Sequence, residues 1–174
     1  MDLLDFEAQG LYFEEPEVAG VKELIAVAAD NYAAGTAEFP LLRAYFLAPD
    51  SLNVLVALNR FYYYQHRLED ALLATSRALM VIRPKVAFPE NWCDLTIEHI
   101  TRSPAELLTQ VRLYLFTLKA IGFLNMRLGY LDISRAIFEK LMSLDSQDRI
   151  GAKGLLELVI NRQAERITQP SVIA

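Results

Sequence analysis

The chain has 174 residues and a mass of 19.7 kDa, a size that fits one domain. Its 53% of hydrophobic residues suffice for a core, whereas seven glycines and seven prolines are too few for a many-stranded sandwich or barrel. The net charge of −5 argues against a general nucleic-acid binder. Residues 1–30 hold eight of the 22 acidic residues and one of the 17 basic residues, so the acidity is concentrated at one end.

Targeting and redox signals are absent from the sequence. The single cysteine, Cys93, has no second cysteine with which to form an internal disulfide. The first ten residues lack the basic region and apolar stretch of a signal peptide. The longest purely aliphatic run, 54–58, is far shorter than the roughly 20 residues that span a bilayer. The sequence therefore predicts a soluble, cytoplasmic protein with no membrane association.

Apolar residues recur at helical spacing along nearly the whole chain. The pattern predicts helices over residues 17–34, 37–47, 52–65, 68–82, 104–128, 132–144 and 148–166, with a weak helix over 94–100. Asp50 or Ser51 is expected to cap the third helix, and Pro40 fits the first turn of the second. The residues 103–106 combine a capping box with proline at the first helical position. Gly35 and Gly129 are expected to end their helices.

The helices repeat with a period of 34 residues. Sliding the first helix pair onto the second aligns Ala37 with Ala71 and Ala44 with Ala78. Small residues at these positions would let two helices approach closely. A third unit follows after an offset of 63, which is one period plus an insertion of 29 residues. It places Gly122 and Phe138 among others at matching positions.

This period and pattern of small and large residues resemble the tetratricopeptide repeat, a helix–turn–helix unit. The resemblance implies an all-α, superhelical domain over residues 17–167. Its repeats would cover 18–51, 52–83 and 115–148, with an insertion over 84–112 and a capping helix over 147–166. Residues 168–174 would form a flexible tail. The acidic leader, residues 1–16, would use Phe6, Tyr12 and Phe13 as apolar anchors to pack along the repeats or to compete with an acidic partner.

The resemblance also implies a concave binding groove. Carried over position by position, its expected lining combines cations with aromatic and aliphatic residues: Lys22, Asn53, Val56, Arg60, Tyr63, Tyr64, Phe116, Lys119, Phe123, Met126 and Arg127. Such a groove would suit an acidic and apolar segment of a partner protein. A solvated basic face is the alternative interpretation of the cations. The pattern lacks the paired asparagines with which some members of this family bind a terminal carboxylate.

Four successive aromatic residues, 61–64, form the most unusual stretch. They cannot all face one core from a helix, because successive side chains lie about 100° apart. The repeat register makes Tyr62 a packing residue and directs Tyr63 and Tyr64 to the groove; the alternative is that all four pack internally. The insertion holds the single tryptophan, Trp92, which either seals the joint between the second and third hairpins or contacts a partner.

Residues 40–72 are also similar to small repeat proteins encoded beside nitrogenase genes. This resemblance implies a non-enzymatic adaptor or chaperone-like accessory factor that binds a nitrogenase component during assembly, turnover or repair. A chaperone for secreted proteins is an alternative, and a homodimer through an exposed hairpin edge is another. The rival of a different class is an enzyme or cofactor carrier that uses Cys93 with His99 or His66. The spacing of these residues predicts no metal site, and the sequence predicts no cofactor.

Overall fold

The computed structural model describes residues 18–32 and 35–168. Within these residues, eight α-helices follow one another: α1 (Val21–Asp30), α2 (Glu38–Leu47), α3 (Leu52–Tyr64), α4 (Leu68–Lys85), α5 (Ile97–Thr101), α6 (Leu108–Leu128), α7 (Leu131–Leu144) and α8 (Lys153–Thr168). Single 3₁₀ turns cover Trp92–Asp94 and Ala105–Leu107. The described residues contain no β-strand, which confirms the all-α class. The predicted acidic leader lies outside these residues.

The chain divides into two compact units, residues 1–81 and 82–174. In the first unit, α2 packs against α1 and α3. The four alanines of the 34-residue register are buried, as their size predicts: Ala37, Ala44, Ala71 and Ala78. Between α3 and α4, the Thr75 hydroxyl lies 2.9 Å from Asn59 Oδ1 and 2.7 Å from the Ala71 carbonyl oxygen. Polar side chains thus form part of this helix contact.

In the second unit, α7 packs between α6 and α8. Phe138 is fully buried against Gly122, where a Cβ would lie 2.8 Å from the phenyl ring and 2.9 Å from Ile137 Cγ2. The hydroxyl of Ser134 donates to the Gly122 carbonyl oxygen at 2.8 Å. Close approach of α6 to α7 therefore requires glycine at residue 122.

The segment that precedes α6 packs within the same unit through apolar anchors. Phe88 is buried and meets the buried ring of Tyr114 edge-on, with the ring centres 5.0 Å apart. Leu95 is buried too, and its carbonyl oxygen accepts a hydrogen bond of 3.2 Å from Lys140 Nζ. Trp92 is only half-buried. The anchors of the predicted insertion are thus Phe88 and Leu95.

Several helix ends differ from the prediction because side chains compete for backbone groups. The helix α1 ends at Asp30, since the Asn31 amide donates to the Val27 carbonyl oxygen at 2.7 Å. The helix α8 begins at Lys153 rather than at residue 148. Asp148 has a φ of 51°, and its carboxylate accepts hydrogen bonds from the N–H groups of Ala152 and Lys153 at 2.7 and 3.1 Å. It therefore acts as a cap before the helix.

Prolines and caps account for two further differences. The helix α4 continues through Pro84 to Lys85. Proline lacks the N–H that would bond four residues back, but only one helical residue follows it, so little of the helix is disturbed. Ser103 does not cap α6, because its hydroxyl donates to the His99 carbonyl oxygen at 2.9 Å. A 3₁₀ turn follows Pro104 before α6 begins at Leu108. Ser51 and Gly129 fulfil their predicted roles at the start of α3 and the end of α6.

One stretch of the described residues, Ala105–Leu128, is long and apolar enough to cross a membrane. The sequence-based prediction did not include this stretch. It considered only purely aliphatic runs, and polar residues interrupt such runs here. Half of its apolar 18-residue segment is buried inside the protein. Length and composition alone do not distinguish such a helix from the core helix of a globular unit.

Candidate protein-binding surfaces

The end of α3 carries an aromatic cluster, formed by Tyr32, Phe61, Tyr63 and Tyr64. The ring of Tyr32 meets Phe61 and Tyr64 edge-on, with ring centres 5.7 and 6.4 Å apart. The Tyr63 and Tyr64 rings lie 5.7 Å apart. Phe61 is buried, Tyr63 is half-buried and Tyr64 is exposed. The cluster therefore has a buried base and an exposed edge, and the edge carries the two tyrosines that the register directed outward.

Tyr32 anchors this cluster and was missed by the sequence analysis. Its hydroxyl donates to the Arg60 carbonyl oxygen at 3.3 Å. Burial raises the pKa of Tyr32; the nearby Tyr64 raises it further and Arg60 lowers it. The contact joins residues 28 positions apart in the chain, a distance at which helical periodicity gives no signal.

Tyr62 has a structural role, as its register position predicts. It is buried, and the Arg67 guanidinium lies over its ring at 4.6 Å from the centre. Arg67 also forms ion pairs of 2.7 Å with Glu38 and Asp70. Burial raises the pKa of Tyr62, and Glu38 raises it further, whereas Arg67 lowers it. Phe61 and Tyr62 thus belong to the interior of the first unit.

The other predicted groove residues of this unit lie on two helices. Asn53, Arg60 and Tyr64 follow one another on α3 at spacings of seven and four residues, which places them along one helix face. Asn53 is half-buried and Arg60 is exposed. Lys22 is exposed on α1. The first unit therefore presents Arg60, Tyr63 and Tyr64 together at one end of α3.

Lys119, a predicted groove cation, is instead buried in the second unit. Its side chain donates from Nζ to the Ile150 carbonyl oxygen at 2.5 Å, and Nζ lies 5.1 Å from the centre of the Phe116 ring. Burial lowers the pKa of Lys119, while Asp148 opposes this effect. The ammonium binds the loop between α7 and α8, so it provides no exposed charge.

Arg127 and Phe123 occupy the last turns of α6. The Arg127 guanidinium lies 5.9 Å from the centre of the Phe123 ring. Phe123 is half-buried and Arg127 is exposed. Met126, the neighbouring candidate, is buried. Arg127 is therefore the exposed cation that the predicted groove contributes in this unit.

Arg127 lines a cleft of about 560 Å³. Its other lining residues come from the turn after α6 and from α8: Met126, Gly129, Leu131, Arg162, Glu165 and Arg166. We call this site the α6–α8 basic cleft, because three arginines and one glutamate contribute its charges. The two arginines of α8 were missed by the sequence analysis, which assigned that helix only a capping role.

The two arginines of α8 are oriented by the carboxyl end of α6. Arg166 Nη1 donates to the Gly129 carbonyl oxygen at 3.1 Å, and Arg162 Nη1 lies 3.5 Å from that of Met126. Cations are favoured there, because the last carbonyl groups of a helix carry partial negative charge. Each guanidinium has five N–H donors, so one such bond orients it and leaves donors for a carboxylate.

The alternative, enzymatic interpretation rests on Cys93, His66 and His99, and each of them lies in a turn or at the start of a helix. His99 Nδ1 lies 3.1 Å from the Thr96 backbone nitrogen and 2.8 Å from its hydroxyl oxygen, at the start of α5. Cys93 is exposed, and its backbone N–H donates to Asn91 Oδ1 at 3.0 Å. His66 is exposed in the turn after α3, with a φ of 58°. Among the described residues, no group of three or more His, Cys, Asp or Glu side chains is arranged to hold a metal ion.

Comparison with known proteins identifies a relative that covers nearly the whole chain. The chain is 43% identical over 174 residues to the "Uncharacterized 19.8 kDa protein in nifW 5'region" of Azotobacter chroococcum mcd 1, covering 98% of this chain and 96% of the relative. The chain belongs to the family of that protein. No protein-family model and no solved structure matches it. The all-α class is therefore shown, whereas the resemblance to the tetratricopeptide repeat remains a prediction.

Proposed function

We propose that this protein is a non-enzymatic, protein-binding accessory factor of nitrogen fixation that acts in the cytoplasm. The nitrogen-fixation context is supported by the relative, whose name places it beside nifW. We further propose that the partner is a component of nitrogenase, bound during assembly, turnover or repair.

The α6–α8 basic cleft carries the binding proposal. It presents Arg127, Arg162 and Arg166 within one unit, and the backbone carbonyls of Met126 and Gly129, at the end of α6 and just after it, orient the last two. Arginine suits carboxylate recognition, because its planar guanidinium forms two parallel hydrogen bonds with a carboxylate. An acidic segment of a partner protein is therefore the ligand that the cleft fits. Arg60 and the exposed edge of the aromatic cluster offer a second contact on the first unit.

The test is affinity purification of the tagged protein from its native host, grown with and without nitrogen fixation, followed by mass spectrometry. We expect a nitrogenase component to be captured under nitrogen-fixing conditions. The double variant Arg127→Glu/Arg162→Glu spares the bond of Arg166 to Gly129. It should lower capture by about tenfold or more, since reversed charges in a binding site both remove attraction and add repulsion.

The matched control is Arg102→Glu, which reverses an exposed arginine just after α5 and outside the cleft. It should leave capture unchanged, and circular dichroism should show the same helicity for all variants. Capture that survives the double variant would remove the cleft from the proposal. Equal recovery of the same proteins in cells that do not fix nitrogen would remove the nitrogen-fixation role.

A further inference from the structure

The helices α6 and α8 run in the same direction, side by side, within the second unit. Three contacts join them, and the partners advance together along both segments: Lys119 with Ile150, Met126 with Arg162, and Gly129 with Arg166. Each contact is made by a lysine or arginine side chain, which spans the space between the two backbones. The α6–α8 basic cleft lies toward the carboxyl end of this pair of helices.

Each of the two helices carries an apolar residue four positions before an arginine of the cleft. Phe123 precedes Arg127 on α6, and Leu158 precedes Arg162 on α8. Residues four positions apart are separated by about 40° around a helix and by about 6 Å along its axis. The two apolar residues therefore share the faces of these arginines and lie about one turn before them.

The apolar surface beside the cleft is accessible. Leu158 is 50% exposed, and Phe123 and Leu155 are half-buried. Leu155 lies seven positions before Arg162 and about 20° from it around α8. The Arg127 guanidinium lies 5.9 Å from the centre of the Phe123 ring, so apolar and basic groups adjoin. We call Phe123, Leu155 and Leu158 the apolar strip.

The charges of the two helices make the surface beside this strip basic. No acidic residue occurs in α6, and α8 contains two. Glu157 lies five positions before Arg162 and thus about 140° away around the helix, on a different face from the cleft. Glu165 lines the cleft together with three arginines. The cleft therefore holds an excess of positive charge.

Shape and charge together favour an acidic protein segment as the occupant. A second copy that met this surface with its own would bring arginines against arginines, which like-charge repulsion disfavours. A cleft of about 560 Å³ admits a segment of chain, whereas a bilayer presents a flat surface. A nucleic-acid strand is bound by cations spaced along its backbone, whereas these arginines converge on one cleft.

We propose that the partner segment bound in the α6–α8 basic cleft also contacts the apolar strip. Its recognition element is then an acidic residue with an apolar residue about 6 Å away on the same side of the segment. Residues two apart in an extended chain, or four apart in a helix, have about this separation. The proposal rests on the proposed function and specifies the ligand of the same cleft.

The experiment is site-specific photo-cross-linking in the full-length protein, in its native host under nitrogen-fixing conditions. The photoreactive residue p-benzoylphenylalanine, itself apolar, replaces Leu158, and in a matched control it replaces Ile160. Ile160 is 41% exposed on the same helix and lies about 200° around it from Leu158. We expect mass spectrometry to map, from position 158 only, a segment of another protein with an apolar residue two to four positions from Asp or Glu.

Capture of the cross-linked protein by single variants supplies the quantitative arm. Leu158→Gln should lower capture by about tenfold, the scale of a contact that dominates an interface, whereas Ile160→Gln should leave it unchanged. The loss caused by Leu158→Gln should persist at high salt, because salt screens charges and does not weaken apolar contacts. Because Leu158 is 50% exposed, its replacement should not unfold the protein, and circular dichroism checks this.

Several results would overturn the proposal: no cross-link from position 158, an equal yield from position 160, a cross-link to a second copy or to residues 1–17 of the same chain, or a mapped segment without an acidic residue. Unchanged capture by Leu158→Gln would also overturn it. If Arg127→Glu/Arg162→Glu still abolishes capture in that case, the basic cleft stands without the apolar strip. If neither variant lowers capture, the binding proposal for the cleft fails as well.

Discussion

The second and third hairpins build the same helix contact from different side chains. Between α3 and α4 the contact is polar, with Thr75 beside Asn59. At the equivalent positions between α6 and α7, Phe138 lies against Gly122. One hairpin combines two side chains of medium size, and the other combines a large side chain with none. Close packing constrains the combined volume at a contact more than it constrains either residue.

The largest expected effect is the loss of Phe138. Phe138→Ala should lower the free energy of unfolding by about 3–5 kcal/mol, because a fully buried ring against a glycine leaves a cavity that Ala cannot fill. Urea denaturation followed by circular dichroism measures the change. Phe46→Ala removes a ring that is 81% exposed and should cost within roughly 0.5 kcal/mol. Equal costs for the two variants would contradict the packing account.

Overpacking the same contact should come next. Gly122→Ala places a Cβ 2.8 Å from the Phe138 ring and should destabilise the protein by roughly 1–3 kcal/mol. Gly154→Ala is the matched control, since a Cβ added to that glycine of α8 would have nothing within 4 Å; it should be neutral or stabilising by up to about 1 kcal/mol. The double variant Gly122→Ala/Phe138→Leu should recover part of the loss, and no recovery would locate the strain elsewhere.

A smaller effect is expected where the third hairpin departs from the other two. Ser134 is buried at the position that alanine occupies in the first two predicted repeats, and it donates to the Gly122 carbonyl oxygen. Ser134→Ala should cost roughly 0.5–1.5 kcal/mol, the net worth of one hydrogen bond. Ser143→Ala removes an exposed hydroxyl on the same helix and serves as the control in the same denaturation assay. A stabilising Ser134→Ala would show that the hydroxyl is not needed.

Lys119 should make the free energy of unfolding depend on pH in a way that an uncharged residue at its position would not. The equivalent residue of the second hairpin is Val56, whereas burial lowers the pKa of Lys119. Between that lowered pKa and the unfolded value of about 10.5, the unfolded chain binds more protons than the folded one. Stability contributed by this group therefore rises with pH across that window. In Lys119→Met the rise should disappear, as measured by urea denaturation at successive pH values below 10, while Lys22→Met, at an exposed lysine, should retain it.

Periodicity and local chemistry predicted most of the helices. Ser51 caps α3 and Gly129 ends α6 as their residue types predict, because these roles depend on neighbours within one helical turn. The helix ends that were predicted wrongly also have local causes, because Asn31 and Asp148 use their side chains to bond backbone groups. Such competition is visible in the residue type but not in the apolar pattern.

The candidate surfaces were less predictable. Four predicted groove residues lie on the predicted helices with part of their side chains accessible. Arg60, Tyr64 and Arg127 are exposed, and Tyr63 is half-buried. Lys119 failed as an exposed cation because the loop at Ile150, 31 residues away, covers its ammonium. Arg162 and Arg166 were missed because they reach backbone carbonyls 36 and 37 residues earlier.

The sequence by itself determined the all-α class, the main helices and the small residues at which they meet, since these follow from the helical period and from side-chain volume. Only the tertiary structure decided which cations are exposed and which arginines share a cleft. These properties depend on contacts between residues about 30 positions apart, and no periodic pattern along the chain specifies which side chain covers another.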